Sequence, residues 1–381
     1  VSTRSPEQIE PLLYATPEDN ADIFYYGGVL APDPLLAFGC GGRRVAVPNQ
    51  LEFARVRREG RFDEVLALED WVRQADAAAL PPPRQTAAVI ACLAQAHGIS
   101  GFRVPADFPA GLAMRLRELG LLAEVVEGPF FPERMRKSDA EADAIRAGNA
   151  ASAAGFRVVE RFLRAAEIRG GWLWHGGRRL TSERLRRAIE IALLERGARA
   201  TQTIVAGGDQ ACDPHGRGSG PLRAGELIIV DIFPKVVATG YHGDMTRTYL
   251  KGRPSEAQRS LVETVLAVQQ WAIGRHKAGV DGRLLYAQVC ERFIKAGYTT
   301  RRDNGVPVGF FHGLGHGLGL DVHEPPRVNP SGGRLRAGVV LTVEPGLYYP
   351  GLGGCRFEDV VRVRRDGPEM LSSHPYRWQI R

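Results

Sequence analysis

Three acidic residues stand in surroundings where an acid is costly. Asp231 ends the apolar run Leu227-Ile228-Ile229-Val230, Glu344 breaks off VVLTV, and Glu358 lies within RFEDVV. A lone carboxylate buried in such a strand is disfavoured unless it is paired, protonated or bound to a cation. Each acid alone could face solvent on an alternating strand, but the run around Asp231 does not alternate. Histidines gather in the same half of the chain. His312, His316 and His323 fall within twelve residues, separated by glycines, with His215 and His242 upstream. Any one could be an ordinary core or surface histidine; together they point to a site. With Asp244, four carboxylates and an imidazole make a hard, oxygen-rich set that suits Mn²⁺, Co²⁺ or Zn²⁺. Four acids exceed the needs of one divalent ion, so two ions with bridging carboxylates are the natural count.

Common alternatives are excluded by spelling. His323-Glu324 is followed by Pro-Pro-Arg, which is no helical zinc motif. The glycines of HGLGHGLG do not satisfy GxGxxG, no phosphate-binding loop occurs, and Ser219 lacks the glycines of a nucleophile elbow. The five cysteines are scattered, odd in number and without a CxxC pair, which fits reduced thiols and a cytoplasmic setting. No apolar run is long enough to span a membrane, and VSTRSPEQIEPLL has no basic-then-apolar leader pattern, so neither a membrane protein nor a signal peptide is expected.

The elements that must position these residues divide in two. The 381 residues carry 50 basic and 43 acidic side chains, a formal charge of +7. Residues 1–135 hold 13 basic and 18 acidic groups, net −5, and residues 136–381 hold 37 and 25, net +12. The arginines of the basic half are dispersed among acids, so no nucleic-acid surface is expected. The first domain, 1–135, reads as α/β. DIFYYGGVL and RRVAVPN are expected strands, and Leu51–Arg61, TAAVIACLAQAHG and AGLAMRLRELG are expected helices. A boundary falls at GPFFPERMRKSDAE, where Ser138 and Glu141 make a capping box for a helix to about Ala166. A second helix runs from Thr181 to Gly197, and further helices from Ser255 to Lys277 and Gly282 to Ala296. Strands are expected at ELIIVDIFP, DMTRTYL, GVVLTVEPGLYY and CRFEDVVRVRR. Without strict βαβ alternation, 136–381 reads as an α+β domain with an antiparallel sheet.

The order VDIF, GYHGDMTRT, HGLGHGLGLDVHE, LTVEPGLYY, RFEDVV resembles the pita-bread metallopeptidases, a family that includes methionine aminopeptidase, aminopeptidase P, prolidase and the metal-free creatinase. The likeness covers residues 136–381; residues 1–135 resemble the smaller creatinase-type N-terminal domain. The resemblance implies that Asp231, Asp244, His316, Glu344 and Glu358 hold two divalent ions, Mn²⁺ first, with Asp244 and Glu358 bridging. It implies a metal-bridging hydroxide as nucleophile and Glu344 as proton shuttle. His215 matches a histidine near the scissile bond, His323 one that contacts substrate, and His312 one found in the proline-specific branches. Arg356 matches an arginine that either supports the site or binds a substrate carboxylate. His242 matches no hallmark and reads as structural.

The resemblance implies Xaa-Pro dipeptidase (prolidase) activity on small peptides with proline at P1′, with aminopeptidase P activity on longer peptides as the alternative. A metal-free binding scaffold or creatinase-like hydrolase is a more distant one. A homodimer is implied by the family alone. Two departures stand out. Asp231 and Asp244 are 13 residues apart, two more than the family's usual spacing, so a bulge or longer turn is expected between them. In RVNPSGGRLRAG, Arg327, Arg334 and Arg336 compete with one another as the substrate-binding arginine.

Overall fold

The computed structural model describes residues 9–200 and 202–381. Residues 1–8, which hold much of the segment read for a leader, lie outside them. The chain divides into two compact units, Val1–Pro132 and Glu133–Arg381.

The first unit is built on a six-stranded mixed sheet. Its strands run in the order Glu64–Val65, Arg43–Val47, Leu35–Cys40, Ile9–Ala15, Gly101–Val104, Leu122–Val125. Successive side chains of the strand Ile9–Ala15 point to opposite faces, so each face gets its own core. Leu12 packs with residues of helices Arg84–His97 and Ala110–Glu118, and Leu13 with Ile23 and Val56 of helices Ala21–Gly27 and Gln50–Glu59. DIFYYGGVL therefore corrects an expectation: its first part is helical. The Asn20 side chain accepts from the Ile23 backbone N–H, and Gly28 closes the helix in the left-handed region. Capping at both ends outweighs the strand preference of adjacent aromatic residues.

The second unit opens with helix Asp139–Ala165, for which Ser138 and Glu141 form the reciprocal capping box. Replacing Ser138 with Ala is expected to cost about 1 kcal/mol, lowering the melting temperature by about 2–4 °C. Thermal unfolding by circular dichroism reads this, and an unchanged transition would show that the cap is dispensable. Together with helix Ser182–Leu194, this helix covers one face of a sheet ordered Ile204–Gly207, Ile228–Ile232, Met245–Lys251, Gln379–Ile380. Ile228, Val230 and Ile232 join that core, while Ile229 belongs to a separate cluster with Tyr348. Asp231, one residue out of phase with Val230, thus leaves the strand on the face away from the helices. All five residues of the strand are buried, which is why its sequence runs apolar without alternation.

A second sheet runs Glu324–Val328, Gly315–Gly317, Val340–Val343, Asp359–Val363, Pro368–Met370, all antiparallel. Helices Glu256–Ile273 and Gly282–Lys295 pack on Leu341, Val343, Val361 and Val363. The two sheets bring five acids and imidazoles, spread over 128 residues of sequence, to adjoining strand ends.

Candidate metal centre

Each candidate ligand sits at a strand or strand end. Asp231 is the fourth residue of Ile228–Ile232, Asp244 precedes Met245–Lys251, and His316 is central in Gly315–Gly317. Glu344 follows Val340–Val343, and Glu358 separates Gly353–Arg356 from Asp359–Val363. The wide spacing between Asp231 and Asp244 is absorbed in the turn. Asp231 still faces Thr246 and Ile232 faces Met245. Beyond them Lys235 bridges His242, and a turn from Val236 to Tyr241 closes the hairpin, with Gly240 N–H donating to Val236 O at 2.8 Å. The hairpin is longer, and Asp244 keeps its place beside the strand end. His242 is buried, its backbone N–H donates to Gly319 O at 2.8 Å, and it does not line the cavity described below.

Asp244, His316 and Glu358 offer ligand atoms that all lie within 4.8 Å of one another. His316 Nε2 lies 3.8 Å from Asp244 Oδ2 and 3.3 Å from Glu344 Oε1. The His316 Nδ1–H donates to the Gly317 carbonyl at 3.1 Å, which leaves the Nε2 lone pair toward the carboxylates. Burial pulls this imidazole down to about 4, so it stands neutral, the form that ligates a cation. Glycines on both sides let neighbouring strands close on it: a Cβ at Gly315 would lie 1.9 Å from Thr342 O, and one at Gly317 2.3 Å from Pro325 O.

Asp231 accepts from Arg356 Nη2 at 2.8 Å through Oδ2, while its Oδ1 is buried with no partner among the described residues. An orphaned carboxylate oxygen beside further buried acids is what a cation would satisfy. Without one, burial first and the neighbouring carboxylates second push Asp244 and Glu358 well above the usual carboxylate range, and burial raises Asp231 as well. The donor set, oxygen-rich with one neutral imidazole, fits divalent ions.

These five residues line a cavity of about 930 Å³ together with His215, His312, His323 and Arg356. The structure thus brings all nine sequence-predicted site residues to one place. Two of them are committed inward. Arg356 is buried, with Nη2 on Asp231, Nη1 on the Tyr348 hydroxyl at 2.9 Å and Nε on Thr246 Oγ1 at 3.2 Å. Burial works against its charge, but Tyr348, Asp231, Glu344 and Glu358 more than offset that. His312 Nδ1–H donates to Gly313 O at 2.8 Å, so Nε2 accepts from the Tyr348 hydroxyl at 2.9 Å. The chain Asp231–Arg356–Tyr348–His312 therefore holds a wall of the cavity rigid. His215 and His323 are more exposed, and His323 stands edge-on to His316 with ring centroids 4.4 Å apart. Of the arginines in RVNPSGGRLRAG, Arg327 lines the cavity; Arg334 and Arg336 do not.

Tyr348, Thr246 and Thr342 escaped the reading of the sequence. Thr246 donates to Glu358 Oε2 at 2.8 Å, and Thr342 donates to Glu344 Oε1 at 3.2 Å while accepting from the His316 N–H at 3.1 Å. The two threonines each sit two residues from a ligand, a spacing that puts both side chains on one face of a strand, and that periodicity was the available signal.

Residues 143–365 match Metallopeptidase family M24. The chain is 35% identical over 188 residues to the Xaa-Pro dipeptidase of Pyrococcus furiosus, covering 48% of this chain and 51% of that one. It thus spans about half the length of the curated relatives it first matches. Its fold is that of an Xaa-Pro dipeptidase from Bacillus anthracis, at a TM-score of 0.81, 22% identity and 98% and 95% coverage. An X-Pro aminopeptidase from Thermotoga maritima shares that fold at 0.79, with 24% identity and 98% of both chains covered.

Proposed function

This chain belongs to metallopeptidase family M24, and on that premise we propose that it hydrolyses Xaa-Pro bonds, in dipeptides first. Asp231, Asp244, His316, Glu344 and Glu358 would hold two divalent ions, Mn²⁺ as the first choice. The observation that carries the reading is the joining of the Asp244–His316–Glu358 cluster and Arg327 in one cavity.

Bound divalent ions supply Lewis-acid charge that brings a water's pKa near neutral. The chain's own residues do the rest. Glu344 takes the proton of the attacking water and passes it toward the departing ring nitrogen of proline, which has no N–H of its own. His323 and His215, on the more open side of the cavity, donate to the scissile carbonyl and its developing oxyanion. Arg356 favours the charged form of Asp231 against its burial and orients it, and Tyr348 with His312 keeps Arg356 in place. Arg327 pairs with the free carboxylate that a dipeptide presents beyond proline. The name of the Pyrococcus furiosus relative supports the dipeptidase form. A homodimer and a cytoplasmic setting complete the reading, the latter supported by five free cysteines.

Turnover of Xaa-Pro against Xaa-Pro-Xaa separates the two peptidase activities. We expect kcat/KM to favour the dipeptide, and Arg327→Gln to raise its KM by roughly tenfold or more with kcat little changed, since a charge-assisted pair contributes about 1.5–3 kcal/mol. Cleavage of tripeptides with dipeptides untouched would sink the dipeptidase reading and favour the aminopeptidase.

A further inference from the structure

We propose that Asn149 and Asp359 are positioning residues that fix the separation of Asp244 and Glu358, the two carboxylates assigned to bridge the metal pair. The inference rests on the dinuclear reading above. Neither residue lines the cavity, and both are about 1% exposed.

The first arm comes from helix Asp139–Ala165. Asn149 Oδ1 accepts the backbone N–H of Asp244 at 2.9 Å, and its Nδ2 donates to the carbonyl of Leu371 at 3.0 Å. The same turn of helix meets the hairpin backbone to backbone. A Cβ at Gly148 would lie 2.4 Å from Gly243 N, and one at Gly243 2.2 Å from the carbonyl carbon of Gly148. At so close a crossing Asn149 is the polar group that sets where Asp244 leaves the loop.

The second arm ends on Glu358. Asp359 accepts four donors: Ser372 Oγ at 2.8 Å and Arg247 Nη2 at 2.9 Å on Oδ1, Gln269 Nε2 at 2.8 Å and the Tyr376 hydroxyl at 2.7 Å on Oδ2. Arg247 turns its other nitrogen, Nη1, to the backbone carbonyl of Glu358 at 2.7 Å. The peptide that carries Glu358 is thus gripped from the adjoining side chain and from Arg247. The two arms meet in adjacent residues, because the Leu371 carbonyl holds Asn149 and the Ser372 hydroxyl holds Asp359. Leu371 N–H and Ser372 Oγ are themselves locked to Val360, at 2.8 and 2.9 Å.

With the side-chain oxygens and amide of Asn149 and Asp359 all partnered, this buried network favours one geometry. That matters at this place, because two buried carboxylates repel each other and would otherwise swing apart. A frame joined at Leu371–Ser372 resists that movement and presents both oxygens ready for a shared ion.

The test compares Asn149→Ala and Asp359→Asn with wild type in metal-depleted, full-length protein titrated with Mn²⁺. Calorimetry reads the two binding events, and electron paramagnetic resonance distinguishes a spin-coupled pair from isolated six-line Mn²⁺. We expect the second ion to bind about tenfold or more weakly, with the first within about threefold, and the coupled signal at two equivalents to give way to isolated ions. Asp359→Asn, which keeps the side-chain shape, carries the test if Asn149→Ala does not fold. Variants that only melt earlier, with unchanged second-ion affinity and coupled signal, would overturn the inference while leaving the peptidase reading intact. Wild type binding a single ion would overturn the inference and the dinuclear reading together.

Discussion

Glu344→Gln is expected to lower kcat on an Xaa-Pro dipeptide by about 10³-fold, within the span of 10² to 10⁴ that a positioned proton carrier contributes. The geometry supports so large an effect. Glu344 is fixed at its backbone, where its N–H donates to Leu314 O at 2.9 Å, and Pro345 follows it. Thr342 holds Oε1, and His316 stands beside the same oxygen. The carboxylate is therefore placed at the cluster without being buried as deeply as Asp244 or Glu358. The amide of Gln keeps the shape and an oxygen able to ligate, but it cannot accept and release a proton at neutral pH. KM is expected to stay within about threefold, because the proton transfer is made only in the transition state. Kinetics at saturating Mn²⁺, with metal content measured on the same sample, separate lost proton transfer from lost metal. Turnover within tenfold of wild type would remove Glu344 from that role, and Glu344→Ala should have no measurable turnover.

How far this site could be read from sequence depends on the range of the interactions that build it. Asp231 declared itself because it breaks a strand whose neighbours are all buried. The histidines declared themselves because glycines around them allow strands to close in, a local property written in consecutive residues. Arg327 could not be chosen over Arg334 and Arg336 by spacing, since the choice depends on the fold: Arg327 lies in the strand Glu324–Val328 and lines the cavity, while Arg334 and Arg336 follow that strand and do not. Asn149 is a different case. Its partners Asp244 and Leu371 are 95 and 222 residues away, and inside an alanine-rich helix it reads as a neutral surface residue. Tyr348 likewise reads as a core aromatic until His312 and Arg356 are brought to its hydroxyl. The misread segment at Ala21–Gly27 failed for a local reason: Asn20 and Gly28 cap it, and cap chemistry overrode composition.

Asp244→Asn should separate the two demands placed on the buried acids, ligation and stability, by moving them in opposite directions. In metal-free protein Asp244 and Glu358 sit well above their ordinary values, because burial and then neighbouring carboxylates penalise the charged forms. A carboxyl whose folded pKa exceeds its unfolded one contributes stability that is whole below the unfolded value, about 4, and is lost as pH rises through the folded value. The metal-free wild type should accordingly melt at a lower temperature at pH 8 than at pH 5. Mn²⁺ should reverse the loss at pH 8, since an ion that binds only the folded form adds about 2.7 kcal/mol at a hundred times its Kd. Asp244→Asn removes a buried group that resists ionisation, so the metal-free variant should melt about 2–4 °C above metal-free wild type at pH 8, for roughly 1 kcal/mol of relieved destabilisation. The same variant should show a flatter pH dependence, almost no rise with Mn²⁺ and no measurable turnover. Scanning calorimetry at the two pH values, with and without Mn²⁺, makes the comparison. A variant less stable than wild type in the metal-free form would mean that Asp244 holds the fold as an acid in its own right. One that still gained the full Mn²⁺ shift would mean that the ion binds elsewhere. The expected pattern, a site that destabilises its own fold until a cation arrives, follows from burying several acids together where a cation would offset their desolvation and mutual repulsion.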